Sequence, residues 1–319
     1  MTSQSLSLNA ADNFTKNTGV DNASHDEAAK RKNEKIEHRE WLATIELAFL
    51  GKTLSITDAA AKTKLIRAKH LGPLRIQRPF YPEGDCCHCY LLHPPGGIAA
   101  GDDLTISAEL VEKSHVLLTT PSAGKVYTSD SHGHPQRQGI HAKISADSCL
   151  EWLPQETIIF SGAQVKLTNR FNLEGNGHLI GWDMVCLGRR ASGEQFLEGD
   201  CVQSIEIYRD DILLMRERTH WQGNSSALTS TWGMAGHVVS GTLFATLETS
   251  RQQMDDWREG LAELALTGEW GLSQKPGVFT ARFLGRSAEQ GRKGFEYLWS
   301  QLRPLINGRD ACRPRIWNT

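Results

Sequence analysis

From Trp41 onward the chain alternates apolar and polar residues, with the runs broken by Gly, Pro, Asn and Asp. In "LTISAEL", Leu104, Ile106, Ala108 and Leu110 share one face while Thr105, Ser107 and Glu109 share the other. "GIHAKIS" repeats this with Ile140, Ala142 and Ile144. A period of two is that of a half-buried strand. Similar runs predict strands over 43–50, 63–71, 74–78, 87–92, 115–120, 150–152, 156–160, 164–173, 178–187, 203–208, 212–221, 239–248 and 277–284. So many short strands predict a mainly β architecture.

Two late segments follow a helical period instead. After Ser250, with Gln253 three residues on as a capping box, Met254, Trp257, Leu261 and Leu264 fall on one helix face and Gly268 follows as a stop. After Ser287, with Gln290 in the same relation, Phe295, Leu298, Trp299 and Leu302 form a second stripe that ends near Pro304 and Gly308. No repeat with a period of roughly 20 to 50 residues is readable.

The first 38 residues carry no apolar stripe and are predicted to be a disordered or weakly helical extension, leaving 39–319 as one β-rich domain. The formal charge of −2 gives no basic face for a phosphate backbone. Seven cysteines, an odd number, and no apolar leader or membrane-length run read as a cytoplasmic protein with reduced thiols.

"CCHCYLLHPPGG" is the densest collection of metal-ligating residue types. On a strand over 87–92, Cys87, Cys89 and Leu91 face one way and Cys86, His88, Tyr90 and Leu92 the other, so the group cannot converge on one ion. The strand is then read as core, its cysteines acting as small hydrophobes. His88, Cys89 and, at the strand exit, His93 remain possible metal contacts. So do His132 and His134, two apart in "SHGHPQ", on one side of an extended loop.

Gly124 and Lys125 in "TTPSAGKVYTS" lack the flanking Gly and Ser or Thr of a phosphate loop, since Thr119 and Val126 stand there. No nucleophile is visibly paired with a base. An acid in an apolar run, by contrast, must be paired, hydrogen-bonded or in a wet cavity. Asp183 interrupts "HLIGWDMVCLG", Glu217 sits in "ILLMRERTHW", and Asp102 and Asp103 open a strand. Salt bridges to Arg189, Arg190, Arg216 or Arg218 are the plain alternative for Asp183 and Glu217.

The stretches "HLGPLRIQRPFYPEG", "YLLHPPGGIAAGDDLTISAEL", "LLTTPSAGKVYTS", "LEWLPQETIIF", "GWDMVCLGRRASGEQF" and "LRPLINGRDACRPRIWNT" resemble, in order from about Trp41 to Thr319, the urease accessory protein family UreD, also called UreH. The resemblance implies a β-helix-like, solenoid stack of strands with two helices. It implies a scaffold, not an enzyme, that joins UreF and the GTPase UreG on apo-urease and helps nickel reach the urease active site. No tightly bound cofactor is implied, only transient Ni²⁺. The family's proposed internal passage would involve Asp102, Asp103 and, on acidic positions of the pattern, Asp183 and Glu217. The late helices and the "HPPGG" loop are expected contact surfaces, the helices for UreF. A stand-alone metal-dependent hydrolase using His88, His93, His132 and His134 is the competing reading. A glycan-binding module is disfavoured because the tryptophans sit among apolar runs and read as core.

Overall fold

The computed structural model describes residues 41–51 and 62–318; the extension expected over residues 1–38 lies outside them. The strands are β1 (Trp41–Leu50), β2 (Lys64–Leu71), β3 (Arg75–Ile76), β4 (Cys87–Leu92), β5 (Asp102–Val111) and β6 (His115–Thr119). They continue with β7 (Gly124–Val126), β8 (Gln136–Ile144), β9 (Cys149–Leu153), β10 (Thr157–Ile159), β11 (Gln164–Leu173) and β12 (His178–Leu187). The last are β13 (Asp200–Arg209), β14 (Ile212–Gln222), β15 (Val239–Ala245), β16 (Glu269–Lys275) and β17 (Val278–Gly285). Helices are α1 (Ser226–Thr229), α2 (Arg251–Glu263) and α3 (Ala288–Asn307). The mainly β expectation holds. Strand β16 and the short β7 were not legible, because "EWGLSQK" and "GKV" alternate too weakly to stand out.

The strands form two sheets. One has the order β14-β13-β11-β8-β5-β1-β2; the other runs β16-β17-β15-β12-β9-β6-β4-β3, with β10 and β7 branching beside β12. From β4 to β13 successive long strands alternate between the sheets, and each lies parallel to the one a turn earlier. Parallel, in-register stacking lines up inward side chains: Ile45, Ile106 and Ile140 are successive partners across β1, β5 and β8. The next partners along that line are Asn169, Ile205 and Glu217. The inner face is therefore apolar at one end of the row and carries polar side chains further along it.

The outer face of the second sheet is covered by α3. Phe295, Leu298, Trp299 and Leu302 pack on Trp182, Leu243, Phe279 and Phe283. Glycine in a helix costs about 1 kcal/mol against alanine, yet α3 carries Gly291 and Gly294 on the buried side. A Cβ at Gly291 would collide with Phe283 and one at Gly294 with Trp270, so the missing side chains set how near the helix lies. Trp317 is buried against Trp182 and Trp299 and donates to Thr119 Oγ1 at 2.8 Å. The tryptophans are not all core, however: Trp41 and Trp232 are exposed.

The capping box at Ser250 is formed, with Ser250 Oγ accepting from Gln253 N at 3.1 Å and Ser250 N donating to Gln253 Oε1 at 2.8 Å. The one expected at Ser287 is not. Its side chain makes no cap bond, and Gln290 instead accepts from Thr267 N, tying the helix start to the preceding loop. Helix α3 also runs past Pro304 and stops at Gly308, whose φ of 68° is left-handed.

Candidate functional site

Between the sheets lies a cavity of about 410 Å³, lined by His93, Ile140, Trp152, Asn169 and Asp183 among others. Strand alternation selects which acids face it. Asp183 lies on β12, whose tryptophan neighbour Trp182 points to the α3 side. Asp183 is buried, and Asn169 Nδ2 donates to it from the facing sheet at 2.6 Å. Burial raises its carboxyl above the ordinary range, and the amide bond offsets only part of that. Asn169 is the polar exception on the face shared by Val165, Leu167, Phe171 and Leu173, a signal the sequence carries and a search for acids misses.

Across the second sheet Asp183, Thr242 and Arg282 are register partners on β12, β15 and β17. Glu217 reaches this row from β14 on the facing sheet. It accepts from Thr242 Oγ1 at 2.6 Å and pairs with Arg282, Nε at 2.9 Å and Nη2 at 2.5 Å. The partner is thus Arg282, none of the four arginines near it in sequence. Two facing rows, Asn169 with Glu217 and Asp183 with Thr242 and Arg282, run from the buried inter-sheet core, where Gln203 is a further polar side chain, to a partly exposed end at Glu217 and Arg282.

The adjacent acids separate. Asp102 is on the same side of β5 as the inward Leu104 and accepts from Ala99 N at 2.7 Å. Asp103 turns outward and lies 3.7 Å from Arg137. His93 lines the cavity; burial holds its pKa down, and the nearby Asp102 charge opposes that.

The remaining histidines do not join them. His132 and His134 meet edge to face in a loop, their ring centroids 5.7 Å apart, and His134 Nδ1 lies within hydrogen-bond distance of Asp130, at 2.7 Å. Cys89 faces the inter-sheet core, its sulfur 3.6 Å from Cys87. His88 is on the opposite side of β4, under α3, 2.5 Å from Glu83. The four histidines of the hydrolase reading therefore occupy three separate environments, and that reading loses its site.

Under α3, Glu83, Cys86 and His88, and again Cys86, His115 and Glu151, gather ligand atoms within 4.8 Å. Arg303 fills the space between them. Its Nη2 and Nη1 meet the two Glu83 oxygens at 2.6 and 2.7 Å, and its Nε meets both Glu151 oxygens at 3.0 and 3.1 Å. Glu151 also accepts from Trp299 Nε1 at 2.6 Å and lies 2.7 Å from His115. With its oxygens bonded to donors and a permanent cation among them, this cluster is arranged as an ion-pair clamp. Burial works against ionisation at Glu83, but His88 and Arg303 outweigh it and hold the carboxyl down at about 2. Glu151 is lowered in the same way against its burial, by His115 and Arg303.

All cysteines among the described residues are free, and no helix among them is long and apolar enough to cross a membrane. The chain matches the family model described as UreD urease accessory protein over residues 51–318. It is 48% identical to the urease accessory protein UreD of Saccharophagus degradans over 284 residues, 88% of this chain and 94% of that one. It is 42% identical to the protein of the same name from Dechloromonas aromatica, covering 88% and 95% of the two chains. With that of Janthinobacterium it shares 41% identity over 84% and 90%. This chain belongs to the UreD urease accessory protein family.

Proposed function

We propose that this chain is a non-catalytic scaffold of urease maturation which, with UreF and the GTPase UreG, docks on apo-urease in the cytosol and passes nickel through its interior. Urease accessory proteins are maturation factors and not catalysts, and the dispersed histidines agree with that. The absent phosphate loop leaves nucleotide hydrolysis to the GTPase.

The observation that carries the nickel reading is the polar row inside a two-sheet core: a cavity with His93 and Asp183, continuing through Thr242 to Glu217 and Arg282. A buried row of carboxylate, amide and hydroxyl is expensive in a core that could be wholly apolar, so it is retained for something other than stability. Oxygen donors without a full set of imidazoles or thiolates hold Ni²⁺ weakly, which suits an ion that must move on. Asp102, near His93, and Asp103, which faces outward, both open β5 and lie to the side of the row rather than within it.

Asp183→Asn tests this, since it keeps the shape and removes the charge. In cells co-expressing apo-urease with its accessory proteins, the assembly should still co-purify while nickel per urease, measured by elemental analysis, drops several-fold. Normal nickel loading would remove Asp183 from the path. A chain that brings down neither apo-urease nor UreF and UreG would end the scaffold reading.

A further inference from the structure

A second concave region lies outside the polar row. It is a groove of about 560 Å³ bounded by β7, β10, β12, the turn Arg190–Ser192 and the start of α3. Its floor is apolar and half-buried: Ile158, Phe160, Cys186 and Val238. Its rim is cationic. Lys125, Arg190 and Arg286 are exposed there, and among the described residues none of them has an ion-pair partner. Arg189 also stands on the rim, but Glu194 holds it at 3.0 and 3.1 Å and it lies over the Phe160 ring at 4.4 Å. The groove's single carboxylate, Glu156, is 3.7 Å from Arg292. Three uncompensated positive charges around an apolar trough contrast with a whole-chain charge of −2.

We propose that this groove is a docking site for an acidic protein segment, one apolar side chain seated on Ile158 and Val238 and carboxylates meeting Lys125, Arg190 and Arg286. Charge complementarity names the occupant. The unpaired cations call for anions, and the apolar floor calls for a hydrophobic anchor that a free phosphate or a nucleic-acid backbone lacks. With a formal charge of −2, the chain as a whole offers an extended polyanion no attractive field beyond the groove, whereas a short segment meets only the local cations. The proposal rests on the scaffold reading only in taking the partner to be a protein.

The test uses the full chain and no urease component, so its failure is separate from failure of the scaffold reading. The probe is a fluorescein-labelled peptide with Phe-Leu at its centre and three Asp or Glu residues on each side, compared with the same peptide carrying Lys at those six places. Fluorescence anisotropy should show saturable binding of the acidic peptide alone. Lys125→Glu, Arg190→Glu and Arg286→Glu combined should weaken it about tenfold or more, as loss of a local charge pattern predicts. Reversal of the same number of charges elsewhere, at Lys64, Lys69 and Lys275, should leave it unchanged. The groove substitutions are all exposed, and an unchanged circular dichroism melt confirms the fold. No saturable binding, or equal weakening by both sets, overturns the proposal. So does peptide binding that is displaced as the chain associates with itself, which would make a second copy the occupant.

Discussion

Asp183 shows at the scale of one residue how a buried carboxylate costs stability. Its carboxyl is buried, the Asn169 amide donates to it from the facing sheet, and burial still raises its pKa. A folded-state pKa above the unfolded value means that the folded protein binds the proton more readily. The group's contribution is therefore favourable below the unfolded carboxylate pKa and is lost as pH rises through the folded one. Asp183→Asn should accordingly be more stable than the wild type at pH 7.5, by about 1 kcal/mol, a common size for removal of a strained functional group. The advantage should fade on acidification as the wild-type carboxyl takes up its proton. Denaturant midpoints at several pH values measure this, and a variant less stable at neutral pH would show that the charge is fully compensated. Together with the loss of nickel loading expected above, the gain would mark Asp183 as kept for transfer at the expense of the fold.

At the scale of elements, α3 is held to the sheet by its apolar stripe and by Arg303, whose guanidinium spans Glu83 before β4 and Glu151 on β9. Arg303→Met leaves the buried Glu151 and the half-buried Glu83 without their cation and should cost about 3–5 kcal/mol in urea denaturation. Arg303→Lys should recover little, because a single ammonium cannot reproduce the fork that meets both acids. Glu83, with its pKa lowered to about 2 from 4.5, contributes stability above the unfolded value that is lost as pH falls toward about 2. Wild-type stability should therefore fall over that interval, and the Arg303→Met variant, already lacking the pairing, should fall less. The helix itself was legible in its stripe of Phe295, Leu298, Trp299 and Leu302, and β4 and β5 in their alternation. Arg303 was not, because a cation at the buried edge of an amphipathic helix looks like an ordinary flank until the facing acids are known. Ser287 carries the lesson further: spacing alone suggested the same box as at Ser250, but a nearby backbone amide at Thr267 took the glutamine that would have completed it.

At the scale of the molecule, the packing of two sheets turns residues far apart in sequence into facing rows, which is why the acids could be listed from the sequence while their partners could not. Glu217 and Arg282 are 65 positions apart, and only the packing of β14 over β17 joins them. On the proposed nickel route, their pairing has a consequence for the ion. While Arg282 holds Glu217, that carboxylate is neutralised and offers a passing divalent cation little attraction, so the ion meets a shallow well instead of a deep one. Arg282→Gln frees the carboxylate beside Thr242 and along the same row as Asp183, creating an oxygen-rich pocket without its internal cation. Equilibrium dialysis of the purified chain against Ni²⁺ should then show several-fold more bound metal than the wild type. Urease in co-expressing cells should receive less, because a site that binds an ion firmly releases it slowly. Adding Glu217→Gln to Arg282→Gln should return bound nickel to the wild-type level, since the new ligand is gone while the geometry is kept. If Arg282→Gln binds no more nickel than the wild type, ions do not reach Glu217 and the row ends at Asp183; if the double variant stays high, the added metal sits elsewhere and the arginine acts only as a structural tie.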